Sequence, residues 1–447
     1  MKTDKSDLTR RDFIGSVAAF GAAAASGCAM PAKSAATRPP SQSQLGAAAQ
    51  TAPPVIVKAP DGPVLKAGLI GCGGRGRGAA LNFLNAGPHL QITALADVFA
   101  DRVEAARRDL NQKGQDIPDS RCFVGFDAYQ KLLESGVDLV LNATPPHFRP
   151  MHFAAAVDAR KHVFLEKPLA VDVPGVKSIQ ATADRAESLG LSVLTGTQLR
   201  RELPRIEVRK RVRDGMIGDV EAARAIRNQG ALWYRVPQPG WSEMEYMIRD
   251  WVNWTWLSGD IIVEQHIHHL DQMLWILGTP PIKAVGMGAH VRRPTGDQFD
   301  FFSVDYSFDN GVHVHSTIRQ LNGCANVRDE MLVGTKGSAN LNGVITDRSG
   351  KLLWRYDGPT NDPLVQEHAD WVTAIRTRKP INTAKETATA TLIAIMGRDS
   401  SYTGKAVTWD DVVASTERLG PTEYAMGPVS IKPAAPVPGV EPGPPIA

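Results

Sequence analysis

Cysteine is scarce in this chain: four in 447 residues (Cys28, Cys72, Cys122, Cys324), none in a C-x-x-C spacing. With Cys28 in a leader segment three remain, which excludes a full disulfide framework and leaves free, buried thiols as the expectation. An excess of charge of one sign is also missing. Fifty basic residues face 47 acidic ones, for a net charge of +3, so nothing electrostatic favours a nucleic-acid or acidic-membrane partner. There is no long apolar run either: the leader stretch Phe13–Ser26 is too short to cross a bilayer as a mature helix. No internal repeat stands out. What remains is a soluble globular composition, 43% hydrophobic and 22% charged, on a chain long enough for two domains.

The first residues read as an address. Thr9-Arg10-Arg11-Asp12-Phe13-Ile14, with Lys2 and Lys5 before it and an Ala/Gly-rich run after it, is a twin-arginine export signal, so residues 1–30 are assigned to a signal segment and the protein to the periplasm. Ser26-Gly27-Cys28 also fits a lipoprotein cleavage site. Ala25 is a poor residue at that spacing, which favours plain cleavage over a lipid anchor at Cys28. Residues 31–62 are Ala/Pro/Ser/Gln-rich and read as a flexible linker. Residues 427–447 are a proline-rich tail expected to be extended or disordered.

Val64–Ile70 is apolar and of strand length. It leads into Gly71-Cys72-Gly73-Gly74-Arg75-Gly76, a G-x-G-x-x-G turn ahead of a helical pattern. Gly71 permits the tight turn, Gly73 lets backbone approach a pyrophosphate and Gly76 lets helix pack on strand. The phosphates would meet the free N–H groups and dipole of the helix start. A second strand, Gln91–Ala96, ends in Asp97, 21 residues after Gly76, where a carboxylate accepts from the ribose hydroxyls and repels a 2′-phosphate. NAD is therefore the expected cofactor, with NADP left possible by Arg75 and Arg102. Strands and helices continue to alternate to Leu191–Thr195, which implies a doubly wound parallel sheet over residues 63–195. Ligands lie beyond strand C-termini in such sheets, and Thr144, Pro145, His147, Glu166 and Lys167 fall there. Taken alone, Lys167 reads as a solvated lysine closing a strand.

These pieces together, GLIGCGGRG, Asp97, ATPPHF and Leu165-Glu166-Lys167-Pro168-Leu169-Ala170, resemble the glucose–fructose oxidoreductase / inositol dehydrogenase / rhizopine-catabolism family over residues 64–410. The resemblance implies an α/β fold: the N-terminal Rossmann domain plus a C-terminal α/β domain (residues 196–426) with an open, mainly antiparallel sheet. It also implies a homo-oligomer through the face of that sheet and a cleft for a sugar, polyol or glycoside. It makes Lys167 an active-site residue. Its second signature, an acid, a histidine four residues on and an aspartate three later, falls on Glu264, His268 and Asp271. Glutamate at 264 departs from the aspartate usual there, which leaves the role of Glu264 less defined than that of His268. In the C-terminal half, 219–229, 300–308 and 311–319 read as strands, the last two as a hairpin around Asp309-Asn310-Gly311. Helices near 364–377 and 385–400 are expected to close that domain.

Five of the nine tryptophans fall in residues 233–256, among Asn228, Arg235, Arg249 and Asn253. Aromatic faces stack on pyranose C–H faces while amides and charges bond hydroxyls, so Trp233 and Asn253 join Gln198 and Arg200 as candidate substrate contacts. The stretch Gly259–Asp271 holds three histidines and suggests a metal site. At 100° per residue, however, Glu264, His268 and Asp271 lie within about 60° on one helix while His266 and His269 lie across from them. Three imidazoles cannot converge from this segment, so no metal is expected, and His266 and His269 are read as structural.

The chemistry implied is oxidation of a secondary hydroxyl, with His268 as base and Lys167 stabilising the alkoxide; Glu264 is placed beside them. An exported enzyme does not meet a regenerating NAD(H) pool. A tightly held, recycled cofactor is therefore expected, with sugar–sugar transhydrogenation or glycoside cleavage by transient oxidation and elimination as outcomes. A non-catalytic sugar- or partner-binding protein is the third alternative.

Overall fold

The computed structural model describes residues 57–440; the leader, Cys28, most of the linker and the end of the tail lie outside the described residues. The six parallel strands of the first sheet run in the order β3 (Cys122–Val124), β2 (Leu90–Asp97), β1 (Leu65–Ile70), β4 (Leu139–Asn142), β5 (His162–Leu165), β6 (Val193–Thr195). That 3-2-1-4-5-6 order makes the sheet a Rossmann sheet with its crossover crevice at β1/β4. Helices cover both faces, which is why the β4 sequence LVLN is buried at every position rather than alternating.

Residues 220 onward build a nine-stranded sheet. Its order is β14 (Leu352–Arg355), β13 (Val344–Asp347), β12 (Gly337–Asn340), β11 (Val327–Gly334), β7 (Val220–Gln229), β10 (His313–Gln320), β9 (Phe301–Ser307), β8 (Lys283–Ala289), β15 (Val407–Thr408). Only β7 and β10 pair in parallel. The expected hairpin is β9–β10, with Gly311 in the left-handed region at φ 80°.

Two expectations are corrected. Helix Pro363–Arg376 does not close the second domain alone: its Ala369, Trp371 and Val372 enter the core of the first, where Trp371 lies near Phe83 and Phe164 at ring distances of 6.2 and 6.1 Å. Of the three described cysteines only Cys72 is buried; Cys122 is half-buried and Cys324 exposed, all free. The tail is partly pinned: Gly427 O accepts from Met244 N (3.0 Å), and Val429 N donates to Glu243 Oε2 (2.8 Å).

Under the segment that carries the histidines lies a buried acidic pair. Asp260 accepts from Ile261 N (2.5 Å) and Phe299 N (2.9 Å), and Asp297 accepts from Thr255 N (2.7 Å). Burial first, and then repulsion from Asp260, pushes the Asp297 carboxyl up to about 6. The folded chain thus holds this proton more tightly than the unfolded chain. The resulting stabilisation is complete below about pH 4 and is lost as pH rises through about 6, a change of about 3 kcal/mol. Melting temperatures of wild type and Asp297→Asn should therefore diverge in the variant's favour between pH 4.5 and pH 8. A constant difference across that range would contradict the assignment.

Candidate active site

The glycine turn is built as its sequence requires. Gly71 sits at φ +92°, and a Cβ on Gly76 would lie 1.8 Å from Gly71 O, inside backbone. Helix Gly74–Leu84 has no side chain capping its start, so its first N–H groups are free for an anion. Added Cβ atoms on Gly73 and Gly74 would meet nothing within 4 Å: both open onto a cavity of about 620 Å³. That cavity is also lined by Arg75, Gly76, Asp97, Arg102, Thr144 and Pro145. The bare backbone cradle, free helix N-terminus and acid at the end of β2 fit the pyrophosphate and ribose of a dinucleotide.

Asp97 closes the turn as well as facing the cavity. Its Oδ2 accepts from Cys72 N (2.7 Å) and its Oδ1 from Phe99 N (3.0 Å). Cys72 therefore contributes its backbone, its thiol being buried against Ala96 O. Burial, only partly offset by these N–H groups, raises the Asp97 carboxyl above its ordinary range. Asp97→Asn exchanges one acceptor for a donor and should weaken NAD binding about 10-fold, the scale of one buried unmet hydrogen bond. It should also narrow the preference over NADP. Titrating both dinucleotides checks this, and unchanged affinities would count against the ribose assignment.

Lys167 follows β5. Its Nζ donates to the backbone oxygen of Glu264 (2.5 Å) and to Glu264 Oε1 (3.0 Å), with side chains only 11% and 8% exposed. The bond to the backbone oxygen has a local cause, and it corrects the single-helix reading of Gly259–Asp271. Gly259 (φ 82°) and Asp260 (φ 74°) both lie in the left-handed region. One helix covers Ile261–Glu264 and a second Ile267–Leu277. Between them His266 N donates to Ile261 O (3.0 Å), five residues back, a widened turn of the π type. Among the described residues Glu264 O consequently has no helical donor, and Lys167 takes it.

Glu264 and His268 therefore belong to different helical segments. Burial opposes ionisation of Glu264, but the charge and bond of Lys167, the Gln265 amide and nearby Arg149 outweigh it and hold the carboxyl below its ordinary range. His268 is buried. Burial first, and then the charges of Lys167, Arg227 and Arg328, keep its imidazole neutral well below the ordinary histidine value.

Asp271 lies about one turn beyond His268 on helix Ile267–Leu277. It takes Arg200 in a bidentate pair (2.9 and 2.7 Å), and Arg200 also bonds Glu386. Arg200 thus fixes helix Ile267–Leu277. Asn253 is buried, donating to Asp250 Oδ1 (2.8 Å) and accepting from Arg293 (3.0 Å). Gln198 opens a one-turn helix after β6, half-buried. His147 turns away from the cavity: its Nε2 bonds Tyr424 OH (2.7 Å) and its ring meets Trp256 at 5.0 Å. Glu166 pairs with Arg75 behind the glycine turn. His266 bonds Ser316 Oγ (2.7 Å) and stacks on His269, both fully buried. Among the described residues no cluster of three or more His, Cys, Asp or Glu is placed to hold a metal ion.

The reading from sequence missed Arg149. Its Nε donates to Thr144 O (2.9 Å) and its guanidinium also reaches Pro168 O. It thus ties the cavity-lining turn after β4 to the turn that carries Lys167. No local pattern could announce contacts 5 and 19 residues away through a buried side chain.

Two family descriptions match this chain: "Oxidoreductase family, NAD-binding Rossmann fold" over residues 65–194 and "GFO/IDH/MocA C-terminal domain" over residues 206–340. The chain belongs to the GFO/IDH/MocA family. Among its relatives, a Streptomyces coelicolor "Glycosyl hydrolase family 109 protein" is 31% identical over 218 residues, 48% of this chain and 43% of that protein. The "D-glucoside 3-dehydrogenase" of Escherichia coli is 26% identical over 251 residues, 51% of this chain and 66% of that protein. This GFO/IDH/MocA chain thus spans less than two thirds of the length of either relative. In fold it is similar to scyllo-inositol dehydrogenase from Lactobacillus casei with bound NAD(H) and scyllo-inositol. There the TM-score is 0.60 at 18% identity, over 79% of this chain and 100% of that one.

Proposed function

We infer that the protein oxidises a secondary hydroxyl of a sugar, polyol or glycoside, using NAD held in the cavity at the glycine turn. The observation that carries this reading is the Lys167–Glu264 pair (3.0 Å) beside the buried His268, at the C-terminal end of β5. When bound, NAD supplies the hydride acceptor. This chain's residues do the rest. His268, neutral, accepts the hydroxyl proton at an imidazole nitrogen. Lys167 presents a cation to the oxygen as negative charge develops, in a site shielded from water. Glu264 holds the ammonium in place through its backbone oxygen and carboxylate.

In this reading the protein is exported by its twin-arginine leader and retains its cofactor, reducing and reoxidising it within one turnover. The exposed Val285 and Met287 of β8 support a homo-oligomer formed through the sheet. The likeness to proteins named glycosyl hydrolase family 109 favours a second outcome at the same site. Oxidation at one carbon acidifies its neighbour and permits loss of a glycosidic substituent before reduction.

Incubating the purified protein with aryl glycosides, free sugars and polyols, and identifying products by mass, separates the outcomes. A keto sugar alone means net oxidation, a keto sugar formed together with a polyol from a second sugar means transhydrogenation, and a released aglycone means cleavage. Binding without any product would mean a non-catalytic sugar-binding protein and overturn the reading.

A further inference from the structure

Neither Lys167 nor His268 lines the cavity of the glycine turn, whereas part of the tryptophan-rich stretch does. Trp233, Arg235, Arg249 and Trp251, with Tyr424 from the tail, line the same cavity as the glycine turn and Asp97. They stand over the β2 side of that turn, with Val98, Phe99 and Arg102, whereas Lys167 follows β5 on the opposite side of β1. On a dinucleotide laid across the turn this is the adenosine half.

The second domain is fastened there by more than one contact. Arg249 donates to both oxygens of Asp101 (3.0 and 3.2 Å), the residue beside Arg102. Its guanidinium lies 3.9 Å from the Phe99 ring centroid and 5.1 Å from that of Trp241. Trp233 meets Trp251 edge to face at 6.3 Å, and Arg235 lies over Trp233 at 5.6 Å. The loop is pinned below by Asp250, whose Oδ1 accepts from Arg235 N (2.6 Å). Tyr424 stacks on Phe126 at 6.3 Å and bonds His147. Trp233 is nevertheless 46% exposed, a large apolar face open at the cavity mouth.

We propose that residues 233–251 of the second domain, together with Tyr424, are a binding element for the adenosine half of the dinucleotide, and that release of the cofactor requires the Arg249–Asp101–Phe99 clamp to open. The chemistry suits that ligand: flat indoles for a purine face, and guanidinium groups beside a dianionic pyrophosphate. The ion pair alone is worth little because Asp101 is more than half exposed; the stacking of Arg249 on Phe99 and the tryptophan platform supply the hold. The proposal rests on a dinucleotide occupying this cavity, and it gives retention of the cofactor a structural cause.

The test uses the full chain as wild type, Arg249→Met, Arg249→Lys and Trp233→Ala. ADP-ribose and nicotinamide mononucleotide are titrated separately, and NADH release is followed by displacement. The expectation is that Arg249→Met and Trp233→Ala each weaken ADP-ribose and speed NADH release about 10-fold. The affinity for nicotinamide mononucleotide should stay within about twofold, and Arg249→Lys should recover part of the loss. ADP-ribose affinity and NADH release within twofold of wild type in both variants would overturn the proposal, as would equal losses for the two half-ligands. A wild type that binds neither ADP-ribose nor NADH overturns the cofactor reading along with it; a binding wild type with unaffected variants overturns the clamp alone.

Discussion

Lys167→Met is expected to lower turnover at least about 100-fold while the purified variant still holds NAD, because on the proposed mechanism the side chain acts on the substrate's hydroxyl oxygen and does not line the nucleotide cavity. The loss has two physical parts. The cation that offsets alkoxide charge is gone, and the buried Glu264 carboxylate loses the partner that keeps it ionised. An uncompensated buried charge costs on the order of 3–5 kcal/mol, so Glu264 should take up a proton instead. The double variant Lys167→Met/Glu264→Gln removes that second problem. It should therefore fold at least as well as the single variant and remain equally inactive. Recovery of turnover in the double variant would mean that Lys167 serves only to neutralise Glu264.

His268→Ala should also cost at least about 100-fold in turnover with cofactor still bound. The wild-type pH profile gives a sharper result. Because burial and the neighbouring Lys167 keep His268 neutral well below the ordinary value, the base form persists on mild acidification. The rate should stay level from pH 8 through pH 6.5 and fall only at lower pH. An acid limb centred on the ordinary histidine value would mean that the group titrating in the reaction is exposed, and hence not His268.

The features legible in the sequence are those with local causes. β1, the glycine turn, the helix after it and Asp97 at the end of β2 follow from residues within one βαβ unit, where Gly71 and Gly76 answer steric demands. The β9–β10 hairpin follows from its Asp-Asn-Gly turn in the same way. The stretch Gly259–Asp271 was half legible. Its residue types mark a site, but uniform helical geometry hid the widened turn at His266, which depends on two consecutive left-handed residues and on a lysine 97 positions away taking the freed oxygen. Arg200, Asn253 and the tryptophans show a related limit. Residue type shows that a side chain can bond a sugar, whereas its actual partner (Asp271 for Arg200, Arg293 for Asn253) is chosen by the packing of distant segments. Trp371 shows the same limit in a core: its helix reads as amphipathic, and nothing in the period says that its apolar face belongs to the other domain.

The central claim is that one chain carries both a retained nicotinamide cofactor and the Lys167/His268 pair that activates the substrate hydroxyl for hydride transfer to it. It is tested most directly by following nicotinamide absorbance of the purified protein, with no cofactor added, as sugars, polyols and glycosides are introduced one at a time. The account predicts that at least one of them reduces the bound cofactor in wild type and that the same compound leaves Lys167→Met and His268→Ala unreduced on that time scale. Reduction at the wild-type rate in both variants, or a wild-type protein that carries and binds no nicotinamide cofactor, would contradict it.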